Sequence, residues 1–563
     1  DLDWLGMLPA SPTRDVLHAA RLLDLQRYGQ PSLDEVLTAH VGTSKTGESL
    51  WAWLAAHRGK GEATRRDQIA HLALAPADLV AAYAEGDVAH LEAALTALQP
   101  KLVARGAWDW YLVEQELLPY LLQMRWRGIR VDVEAARALD ARLAAEYVAR
   151  LEDFGAETLP DVWRRLTHDE KLAELSANSG ATLARVYDRK GIKYPHTRLG
   201  APSFRKAWLE TQPDPFSRLV LRLRKLAKMR GTFVHGYILD YAVKGRVHPL
   251  LKQLWPRTLR MSAEHPNEQN IPARDEELAP LVRGLFLPDE GEDWGRCDYS
   301  QQEYRLLVHH AVGEGAERAR EAYRADRATD FHDLVGSWLG WGPEQRKTVK
   351  NANFAKVNRA GKDTFARTLG LPREEADPVF DLYDRALPFV GATGREAQRV
   401  AERRGYVRLL LGEMRMYFDH WEVSDWDLRE EDKWRTYPTR EAALARSREL
   451  AAQVPGTRAG AQKAETYKAV NQLIQPGGAQ LLKNGMVKLH RAGLTRVLGP
   501  ALVSVHDELG FSVPRTPAGR EAFREVRRVL EGSDDGRCSV PIYVEQDLGS
   551  DWGHLEDWDG TDA

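Results

Sequence analysis

Cysteine is scarce in this chain: Cys297 and Cys538 are the only two among 563 residues. Neither has the spacing of a metal ligand, and two cysteines cannot build a disulfide framework, which fits a reducing compartment. No apolar run approaches the ~18 residues that a membrane span needs, and no signal peptide is visible. We therefore expect a cytoplasmic protein that does not associate with membranes.

A strong excess of charge of either sign is also missing. The formal net charge is −3, with 43% hydrophobic and 29% charged residues, as in an ordinary globular protein. Affinity for a polyanion must therefore come from local basic strips. One such strip is the amphipathic stretch 218–230, which contains no acidic residue; it suits contact with phosphates, and a solvated helix face is the alternative. The length predicts about three or four domains.

Two segments far apart in the chain place carboxylates where they could hold divalent metal ions. The first contains Asp298 and Glu303, and the second contains Asp507 and Glu508. Apolar residues alternate on both sides of Asp507, which predicts a hairpin with this residue at its tip. Magnesium prefers carboxylate ligands, and phosphoryl transfer depends mainly on metals and positioning. A solvated cap at a strand end is the ordinary alternative for either aspartate alone.

A basic helix is predicted between these two segments. Arg346, Lys350, Phe354 and Asn358 recur at every fourth residue, which places them along one slowly winding stripe about 18 Å long. Arginine and lysine at one end suit a triphosphate, and an aromatic ring further along suits the sugar and base of a nucleotide. For this helix taken alone, a solvated basic face is the alternative.

Together these segments resemble the motifs of family A DNA polymerases, which include bacterial DNA polymerase I and many phage replicases. In that family they are motif A, motif B (Arg-x3-Lys-x3-Phe/Tyr-x3-Tyr-Gly) and motif C (His-Asp-Glu, here 506–508). A fourth match covers residues 258–262 and 266–272, which resemble the family's Thr-Gly-Arg-x-Ser-Ser and Pro-Asn-Leu-Gln-Asn-Ile-Pro sequences. The order and spacing of all four agree over roughly residues 115–563.

The resemblance implies the architecture of a right-hand polymerase. We expect an α/β and α+β multidomain fold, with an antiparallel palm sheet, helical fingers and thumb, and a truncated N-terminal ribonuclease H-like 3′–5′ exonuclease domain. The expected bounds are 1–113 for the exonuclease-like domain, 114–232 for the thumb, 233–312 and 460–563 for the palm, and 313–459 for the fingers. Residues 417–457, with Trp421, Trp426 and Trp434, exceed the usual family length; they predict a surface insertion, with a partner-docking or DNA-guiding element as the alternative.

The implied function is template-directed DNA synthesis, in which dNTPs are added to a primer 3′ end by two-metal-ion phosphoryl transfer during replication or repair. Asp298 and Asp507 would hold two Mg²⁺ ions, for which Mn²⁺ could substitute, with the Tyr299 carbonyl as a further ligand and Glu508 nearby. Lys350 is also a candidate general acid for pyrophosphate. The expected partners are primer–template DNA and dNTPs, with a processivity or replisome protein as a further candidate. We expect a monomer in a bacterial or phage-infected cell.

The same resemblance implies the remaining site residues. The expected nucleotide-binding residues are Arg346, Lys350, Phe354, His332, Gln301, Asn358 and Glu303, of which Glu303 would block a 2′-hydroxyl. The expected DNA-binding residues are Arg260, Gln269, Asn270, Asn471, Gln475, His506, Arg359, Lys225 and Arg230. Minor-groove acceptors are nearly the same for every correct base pair, so contacts there can test the shape of a pair without reading its sequence.

The chain departs from the family pattern at the end of motif B. The family's Tyr-Gly pair is Asn358-Arg359 here, Tyr467 stands where the family usually has an arginine, and residues 412–415 stand where it often has Gly-Arg-Arg. An amide cannot stack as a ring does, and Arg359 adds a charge near the template strand. We hypothesise that the templating base is handled differently, with lower fidelity or with tolerance of altered bases. Compensation by neighbouring residues is the alternative.

The beginning of the chain resembles part of the family's proofreading exonuclease. Asp1 resembles its second metal-binding element, and Tyr83 and Asp87, on a helix expected from Pro76 to Leu98, resemble its Tyr-x3-Asp element. The Asp-x-Glu pair would lie upstream of the given residues. A two-metal nuclease that lacks two carboxylates should not hydrolyse efficiently, so we expect an inactive exonuclease-like domain in the chain as it stands. A fragmentary sequence and a separate polypeptide that supplies the missing half both stay open.

Two rival functions remain. A single-subunit RNA polymerase shares the palm chemistry, but Glu303 and Phe354 favour deoxynucleotides. A catalytically altered, translesion-type polymerase or a non-catalytic primer–template binding protein is suggested by Asn358 and Arg359. Extension assays with dNTPs and with rNTPs would separate these classes.

Overall fold

The computed structural model describes residues 13–26, 30–45, 48–58, 71–159, 176–197, 199–272, 275, 277–432 and 435–560. A five-stranded antiparallel sheet lies at the centre of the polymerase-like region, and helices pack around it. Within these described ranges, none of the helices combines the length and the apolar character that crossing a membrane would require.

Helices form the described part of the first 113 residues. They are α1 (Val16–Leu23), α2 (Leu33–His40), α3 (Glu48–Arg58), α4 (Ala77–Val88), α5 (Leu91–Ala104) and the start of α6 (Trp108–Arg127). The described residues of this region contain no strand, so the predicted ribonuclease H-like α/β domain is not confirmed. The helix expected from Pro76 to Leu98 is two helices, because the backbone leaves helical geometry at His90 (φ −113°, ψ 7°).

The two described residues of the exonuclease-like motif lie on α4, whereas Asp1 lies outside the described residues. The ammonium group of Lys45 forms an ion pair with Asp87 and lies 5.1 Å from the centroid of the Tyr83 ring. Trp51 packs edge-on against the same ring, with 5.3 Å between centroids. These contacts hold the Lys45 ammonium group between the Tyr83 ring and the Asp87 carboxylate.

Helix α6 attaches the beginning of the chain to the palm. Its Glu114 forms a buried ion pair with Lys483, and the following strand, Ile129–Val131, pairs with Arg246–Val247 and Phe286–Leu287. The expected thumb boundary at residue 114 therefore cuts through α6. Residues 114–131 pack with the palm because a buried ion pair and strand pairing hold them there.

Helices that pack side by side form the expected thumb. They are α7 (Val133–Thr158), α8 (Gly180–Arg189), α9 (Lys206–Thr211), α10 (Pro215–Lys228) and a π-helical continuation, Met229–Leu239. Asp132 and Asp214 precede α7 and α10 and accept hydrogen bonds from backbone amides of the first turn, as short polar side chains do at helix starts. Phe154 and Phe216 stack at 5.5 Å in the core between these two helices.

The remaining helices belong to the fingers, the insertion and the palm. They are α11 (Leu278–Arg283), α12 (Gln302–His310), α13 (Ala316–Ala325), α14 (Phe331–Leu339), α15 (Arg346–Val357), α16 (Lys362–Leu369), α17 (Arg373–Ala386), α18 (Pro388–Arg404), α19 (Trp426–Glu431), α20 (Arg440–Ala451), α21 (Ala469–Arg491), α22 (Thr495–Leu498) and α23 (Pro517–Glu531). The basic helix predicted between the two carboxylate segments is confirmed as α15. Asn353 accepts a 2.7 Å hydrogen bond from Tyr383, and Lys356 pairs with Asp384 at 2.6 Å. Because these contacts fix one face of α15 to α17, the opposite stripe faces outwards.

The strands of the structure are β1 (Ile129–Val131), β2 (Arg246–Val247), β3 (Leu250–Lys252), β4 (Ser262–Glu264), β5 (Phe286–Leu287), β6 (Glu292–Tyr299), β7 (Tyr406–Arg408), β8 (Arg415–Tyr417), β9 (Trp421–Val423), β10 (Ala461–Lys463), β11 (Val503–Val505), β12 (Glu508–Pro514), β13 (Val544–Asp551) and β14 (His554–Asp557). The palm sheet has the strand order β11-β12-β6-β13-β14. On one face of the sheet, the Tyr299 hydroxyl bonds to carbonyls of Leu481 and Leu530, in α21 and α23. On the other face, Trp294 stacks on Trp552 at 5.6 Å.

Residues 421–463 form a small unit of their own, which we call the insertion unit. Strand β9 pairs with β10, and a separate buried cluster contains Val423, Leu428 and Leu450. Trp434 lies outside the described residues. The predicted surface insertion thus has its own sheet pair, helices and core.

A buried ion pair joins α6 to α21. The ammonium of Lys483 lies 2.6 Å from Glu114 Oε1 and donates a further 2.8 Å hydrogen bond to the carbonyl of Gln253. Trp110 and the Gln253 amide donate to the same carboxylate. The Lys483 and Glu114 side chains are 1% and 0% exposed, and burial lowers the pKa of Lys483. Removal of the carboxylate would leave a buried charge without a counter-charge.

We expect Glu114→Ala to lower the free energy of unfolding by about 3–5 kcal/mol, because a buried ammonium then loses its partner. Thermal and urea unfolding would measure this loss. Glu116→Ala is the matched control, since Glu116 pairs with Arg491 on the surface and exposed pairs contribute up to about 1 kcal/mol. Equal losses in the two variants would contradict the role of the buried pair.

Candidate active site

Asp298 and Asp507 meet at the centre of the palm sheet. Asp298 is one residue before the end of β6, and the predicted hairpin is confirmed as β11 and β12, joined by His506 and Asp507. The backbone amide of Tyr299 donates a 3.3 Å hydrogen bond to the carbonyl of Asp507. The strand pairing therefore makes neighbours of two aspartates that are far apart in the sequence.

A row of three carboxylates crosses the sheet at this point. Asp298 lies opposite Glu508 of β12 and Glu545 of β13, and directly opposite residues in antiparallel strands share a face. The Trp552 indole donates a 2.6 Å hydrogen bond to Glu508 Oε1. The guanidinium of Arg283 lies 3.7 Å from Glu508 Oε2. Glu508 is therefore held in place beside the two aspartates.

Burial and mutual repulsion disfavour the charged forms of the two aspartates. Burial and then the charges of Asp507 and Glu508 raise the pKa of Asp298 to about 8. Burial raises the pKa of Asp507 to about 6, with Arg260 opposing the shift and Glu303 adding to it. Neighbouring cations therefore do not fully compensate the two carboxylates, and a bound cation would stabilise their ionised forms.

The donor atoms suit a cation that binds oxygen. Over the part of the chain that the structure describes, no group of three or more His, Cys, Asp or Glu side chains is arranged to hold a metal ion. A cation held by Asp298 and Asp507 would need further oxygen atoms from backbone carbonyls, water or a phosphate substrate, which is how magnesium is commonly bound. The Tyr299 side chain is buried, with its hydroxyl 3.0 Å from Ser533, so only its backbone could contribute.

Glu303 lies in the first turn of α12, close to Asp507. The Arg260 guanidinium donates a 2.6 Å hydrogen bond to Glu303 Oε1. The two side chains are 32% and 36% exposed, so the pair is accessible from the cleft. Arg260 was predicted to contact DNA; in this structure it neutralises Glu303 and lowers the pKa of Asp507.

The N-terminal end of α15 presents two cations. The Arg346 guanidinium donates from Nε to Asp333 at 2.8 Å and from Nη2 to Asp330 at 2.6 Å. Lys350, one turn further along, is exposed. The two acidic partners hold the arginine fork at the edge of the cleft, beside the ammonium group.

His332 lies behind these cations and is buried. Its Nδ1 is 2.9 Å from the Asn353 amide, so a contact with a phosphate would have to use the other ring nitrogen. Burial and then the charges of Lys350 and Arg346 lower the pKa of His332, against the influence of Asp330. Phe354, further along the same stripe, is 60% exposed and offers a ring face to the cleft.

A network of amides and a guanidinium closes the C-terminal end of α15. Asn358 donates a 2.8 Å hydrogen bond to the Phe354 carbonyl and accepts one of 3.1 Å from Asn471. Arg359 donates to Gln398 Oε1 at 2.7 Å and to the carbonyl of residue 467 at 3.1 Å. Asn358, Arg359 and Asn471, all predicted to bind nucleotide or DNA, are therefore brought together here.

Two of the predicted glutamines already bond to the protein backbone. Gln301 Oε1 accepts a 2.6 Å hydrogen bond from the Phe331 amide at the start of α14, so this oxygen holds the fold rather than facing a ligand. Gln269 donates a 3.0 Å hydrogen bond to the Ser504 carbonyl of β11. Its position beside the hairpin agrees with the prediction, although its amide group is engaged.

The other predicted DNA contacts surround the same hairpin. Asn270 ends a 3-10 turn, Glu268–Asn270, that packs against β11. Gln475 is half-buried on α21, one turn after Asn471. His506 is exposed on the hairpin turn and has a positive φ of 57°.

The thumb cations are paired with acids that lie outside the stretch 218–230. Lys225 lies 3.0 Å from both Asp275 and Glu277. Arg230 lies 2.7 Å from Asp140. The sequence 218–230 contains no acid, but folding brings acids to it from α7 and from the palm edge. DNA phosphates would have to replace these carboxylates.

Three residues near the site were missed by sequence reasoning. Glu545 could have been found only through the pairing of β13 with β6, because its own segment carries no motif. Asp333 lies three residues after Asp330, a spacing that places both on one side of a helix start, and this signal could have been used. Arg283 reaches Glu508 through the packing of α11, for which we find no sequence signal.

Comparisons with known proteins identify the family of this chain. The profile of DNA polymerase family A matches residues 157–554. A DNA-directed DNA polymerase of Pseudomonas phage M6 is 29% identical over 547 residues, which cover 86% of this chain and 72% of the phage protein. The DNA polymerase DpoZ of Acinetobacter phage SH-Ab 15497 is 32% identical over 450 residues, which cover 72% of this chain and 70% of that protein.

A bacterial relative and a solved structure extend the comparison. The thermostable DNA polymerase I of Thermus aquaticus is 30% identical over 460 residues, which cover 80% of this chain and 48% of that protein. The POL domain of Pol1 from M. smegmatis, in complex with DNA primer-template and dNTP, has a TM-score of 0.71 and 22% identity, and the match covers 96% of this chain and 82% of that chain. That structure shares the fold. Because the family profile spans most of its length, this chain belongs to DNA polymerase family A and is a DNA-directed DNA polymerase.

Proposed function

We propose that this chain extends a primer 3′ end on a DNA template, adding dNTPs by two-metal-ion phosphoryl transfer in replication or repair. The observation that carries the proposal is the meeting of Asp298 and Asp507 in a chain whose helix α15 presents Arg346 and Lys350 on an exposed stripe. The fold shared with a polymerase domain in complex with primer-template and dNTP supports it. In this proposal the thumb begins after β1. The palm sheet carries the two metal-binding aspartates, and the fingers carry the nucleotide-binding stripe of α15.

Asp298 and Asp507 would hold two magnesium ions, with the Tyr299 carbonyl as a further donor and Mn²⁺ as a possible substitute. Bound there, the ions would activate the attacking primer oxygen and stabilise the leaving oxygen. The raised pKa values of the two aspartates support this role, because a cation bound between them would stabilise their ionised forms. Glu508 would stay beside the two aspartates, because the Trp552 indole and the Arg283 guanidinium hold its carboxylate.

Arg346 and Lys350 would bind the triphosphate. A guanidinium fork matches phosphate oxygens, and an ammonium acts as a point charge. Arg346 would exchange its hydrogen bonds to Asp330 and Asp333 for phosphate oxygens, and these acids would keep it oriented between turnovers. Lys350 is exposed on the same stripe, where it would act as the general acid for the leaving pyrophosphate.

Glu303 would lie beneath the incoming sugar, with Phe354 against the sugar and base. The ion pair with Arg260 restrains the carboxylate beside Asp507, where it would occupy the space of a 2′-hydroxyl. This arrangement supports selection of dNTPs over rNTPs and argues against an RNA polymerase.

The residues around the hairpin would line the primer–template duplex. Their amides and rings suit minor-groove acceptors, which every correct base pair presents; they are Gln269, Asn270, Asn471, Gln475 and His506. Lys225 and Arg230 would exchange their carboxylate partners for phosphates, which makes binding depend on salt. Proofreading is no part of this function as proposed, because Asp87 is paired with Lys45.

We expect Asp298→Ala and Asp507→Ala each to slow primer extension at least about a thousandfold, about 4 kcal/mol of activation free energy, since each removes a metal ligand. Single-turnover extension with Mg²⁺ measures the rate, and fluorescence anisotropy measures primer–template binding. Binding without extension in the variants would show that the loss is catalytic.

Asp293→Ala is the matched control for these variants. Asp293 lies on the same strand, ~16 Å away at ~3.3 Å per residue, where its carboxylate pairs with Arg515 and Arg520. We expect it to extend primers at nearly the wild-type rate. A wild-type protein that binds primer–template but does not extend it would contradict the proposed function and support the non-catalytic alternative.

We expect Glu303→Ala to raise the ratio of rNTP to dNTP incorporation by about tenfold or more, about 1.4 kcal/mol, because the carboxylate no longer blocks the 2′-hydroxyl. Competing single-nucleotide insertion of dNTP and rNTP measures the ratio. Glu321→Ala, which removes an exposed carboxylate from α13, should leave it unchanged. An unchanged ratio in Glu303→Ala would assign sugar selection to another residue.

We expect the thermal stability of the metal-free protein to fall as the pH rises from about 6 to about 8. The pKa of Asp298 in the folded state is about 8, above the ~4 of an unfolded aspartate, so the folded state binds more protons and loses stability as the pH rises. Asp298→Asn should flatten this slope. Mg²⁺ should raise the melting temperature more at pH 8 than at pH 6, and an equal rise at both values would contradict the metal site.

A further inference from the structure

An open cavity of about 610 Å³ lies between the insertion unit and the fingers. We call it the insertion groove, and its lining comes from three parts of the chain: Thr364 of α16, the segment 465–467 before α21, and residues of the insertion unit that include Trp426, Arg429 and Arg435. Its volume falls in the ~300–1,000 Å³ range of sites for drug-sized ligands. It therefore has room for at least one nucleotide.

The insertion unit gives the groove a fixed wall. The Ser447 hydroxyl accepts a 3.0 Å hydrogen bond from the Gly460 amide, and Gln462 donates 2.9 Å to Glu422 across the β9–β10 pair. Together with the separate core of Val423, Leu428 and Leu450, these bonds hold the unit's strands and helices in one arrangement.

Two aromatic rings in the groove are exposed. Trp426 is 67% exposed and Tyr467 is 41% exposed, and both line the cavity. Exposed apolar surface that is concentrated in one place commonly marks a contact site. Rings with cations nearby are the usual platform for unpaired bases, which stack on them regardless of sequence.

The charges around the groove favour a polyanion. Its three lining carboxylates, Glu422, Asp432 and Glu465, are each paired with at least one cation. Five cations surround these three acids: Arg257, Arg429, Arg435, Arg446 and Lys468. The Arg435 side chain is 62% exposed, and its ion pair with Asp432 is long, at 3.8 Å. Its guanidinium can therefore reach a phosphate.

The groove continues from the template end of α15. In the proposed function the triphosphate binds at Arg346 and Lys350, and the base of the incoming nucleotide lies near Phe354. The template base that pairs with it then lies further along α15, at Asn358. Arg359 follows there and donates a hydrogen bond to the carbonyl of Tyr467, whose ring lines the groove. The next unpaired template nucleotide is therefore directed into the groove.

We propose that the insertion groove binds the unpaired template strand ahead of the templating base, with bases stacked on Trp426 and Tyr467 and a phosphate held by Arg435. This inference rests on the proposed function, since it requires a template strand at α15. It assigns to the insertion unit the task of guiding single-stranded DNA into the active site.

The test compares the affinity of the full chain for primer–template duplexes with four unpaired template nucleotides, with four abasic unpaired nucleotides, and without an overhang. We expect the wild-type protein to prefer the overhang with bases by roughly tenfold over the blunt duplex, as stacking on aromatic rings implies. Trp426→Ala and Tyr467→Ala should each reduce this affinity ratio severalfold. For the wild-type protein, an abasic overhang should reduce the ratio by a similar factor.

Two further variants separate stacking from folding. Trp426→Phe keeps a ring and should keep most of the preference. Trp255→Ala removes a ring that is 44% exposed outside the groove, and it should leave the ratio unchanged. Melting temperatures of all variants confirm that they are folded.

Photocrosslinking gives the position of the strand directly. 5-Iodouracil placed at the first to fourth unpaired template position should crosslink to Trp426 or Tyr467. Primer extension by the wild-type chain runs in parallel, because its absence would contradict the proposed function itself. The inference would be overturned if the wild-type chain extends primers, the variants keep the affinity ratio of overhang to blunt duplex, and the crosslinks fall outside the groove. That result would leave the proposed function standing and would assign the groove to a protein partner.

Discussion

The register of β6 against β12 is the constraint on which the active site depends. It places Asp298 opposite Glu508 and brings the turn with Asp507 to the end of β6. A slip of one residue would turn Asp298 towards the face on which Cys297 is buried. The register is held from both faces, by the hydroxyl of Tyr299 between α21 and α23 and by the stack of Trp294 on Trp552. The apolar core thus determines where two repelling carboxylates meet.

The same register determines the electrostatics. Residues that share the face of Asp298 include Glu508, Glu545 and Arg296, and the last of these pairs with Asp547 rather than with the aspartates. The Arg296 guanidinium is therefore engaged by another acid of the same sheet. Arg260 pairs with Glu303 in the same way. Among the residues that the structure describes here, Arg296, Arg260 and Arg283 pair with Asp547, Glu303 and Glu508, so they offset the burial and repulsion of Asp298 and Asp507 only in part.

The sequence predicted those features that depend on local pattern. The alternation around Asp507 indicated the hairpin, and the four-residue spacing from Arg346 to Asn358 indicated a helix with one exposed stripe. Features that depend on long-range packing were not predictable in this way. Lys225 and Arg230 looked like a basic strip because their acid partners come from other elements. The C-terminal part of helix α6 was assigned to the thumb because its helical pattern does not reveal that Glu114 pairs with Lys483.

The departures from the family at the end of α15 form a connected set rather than isolated changes. Asn358 bonds to Asn471, and Arg359 bonds to Gln398 and to the carbonyl of residue 467. Gly394 is part of the set, because a Cβ there would lie 3.0 Å from Arg359 Cδ. Residues that share hydrogen bonds and space do not act additively. A tyrosine restored at 358 alone would therefore meet neighbours arranged for an amide, and the hypothesis of altered handling of the templating base has to be tested on the whole set.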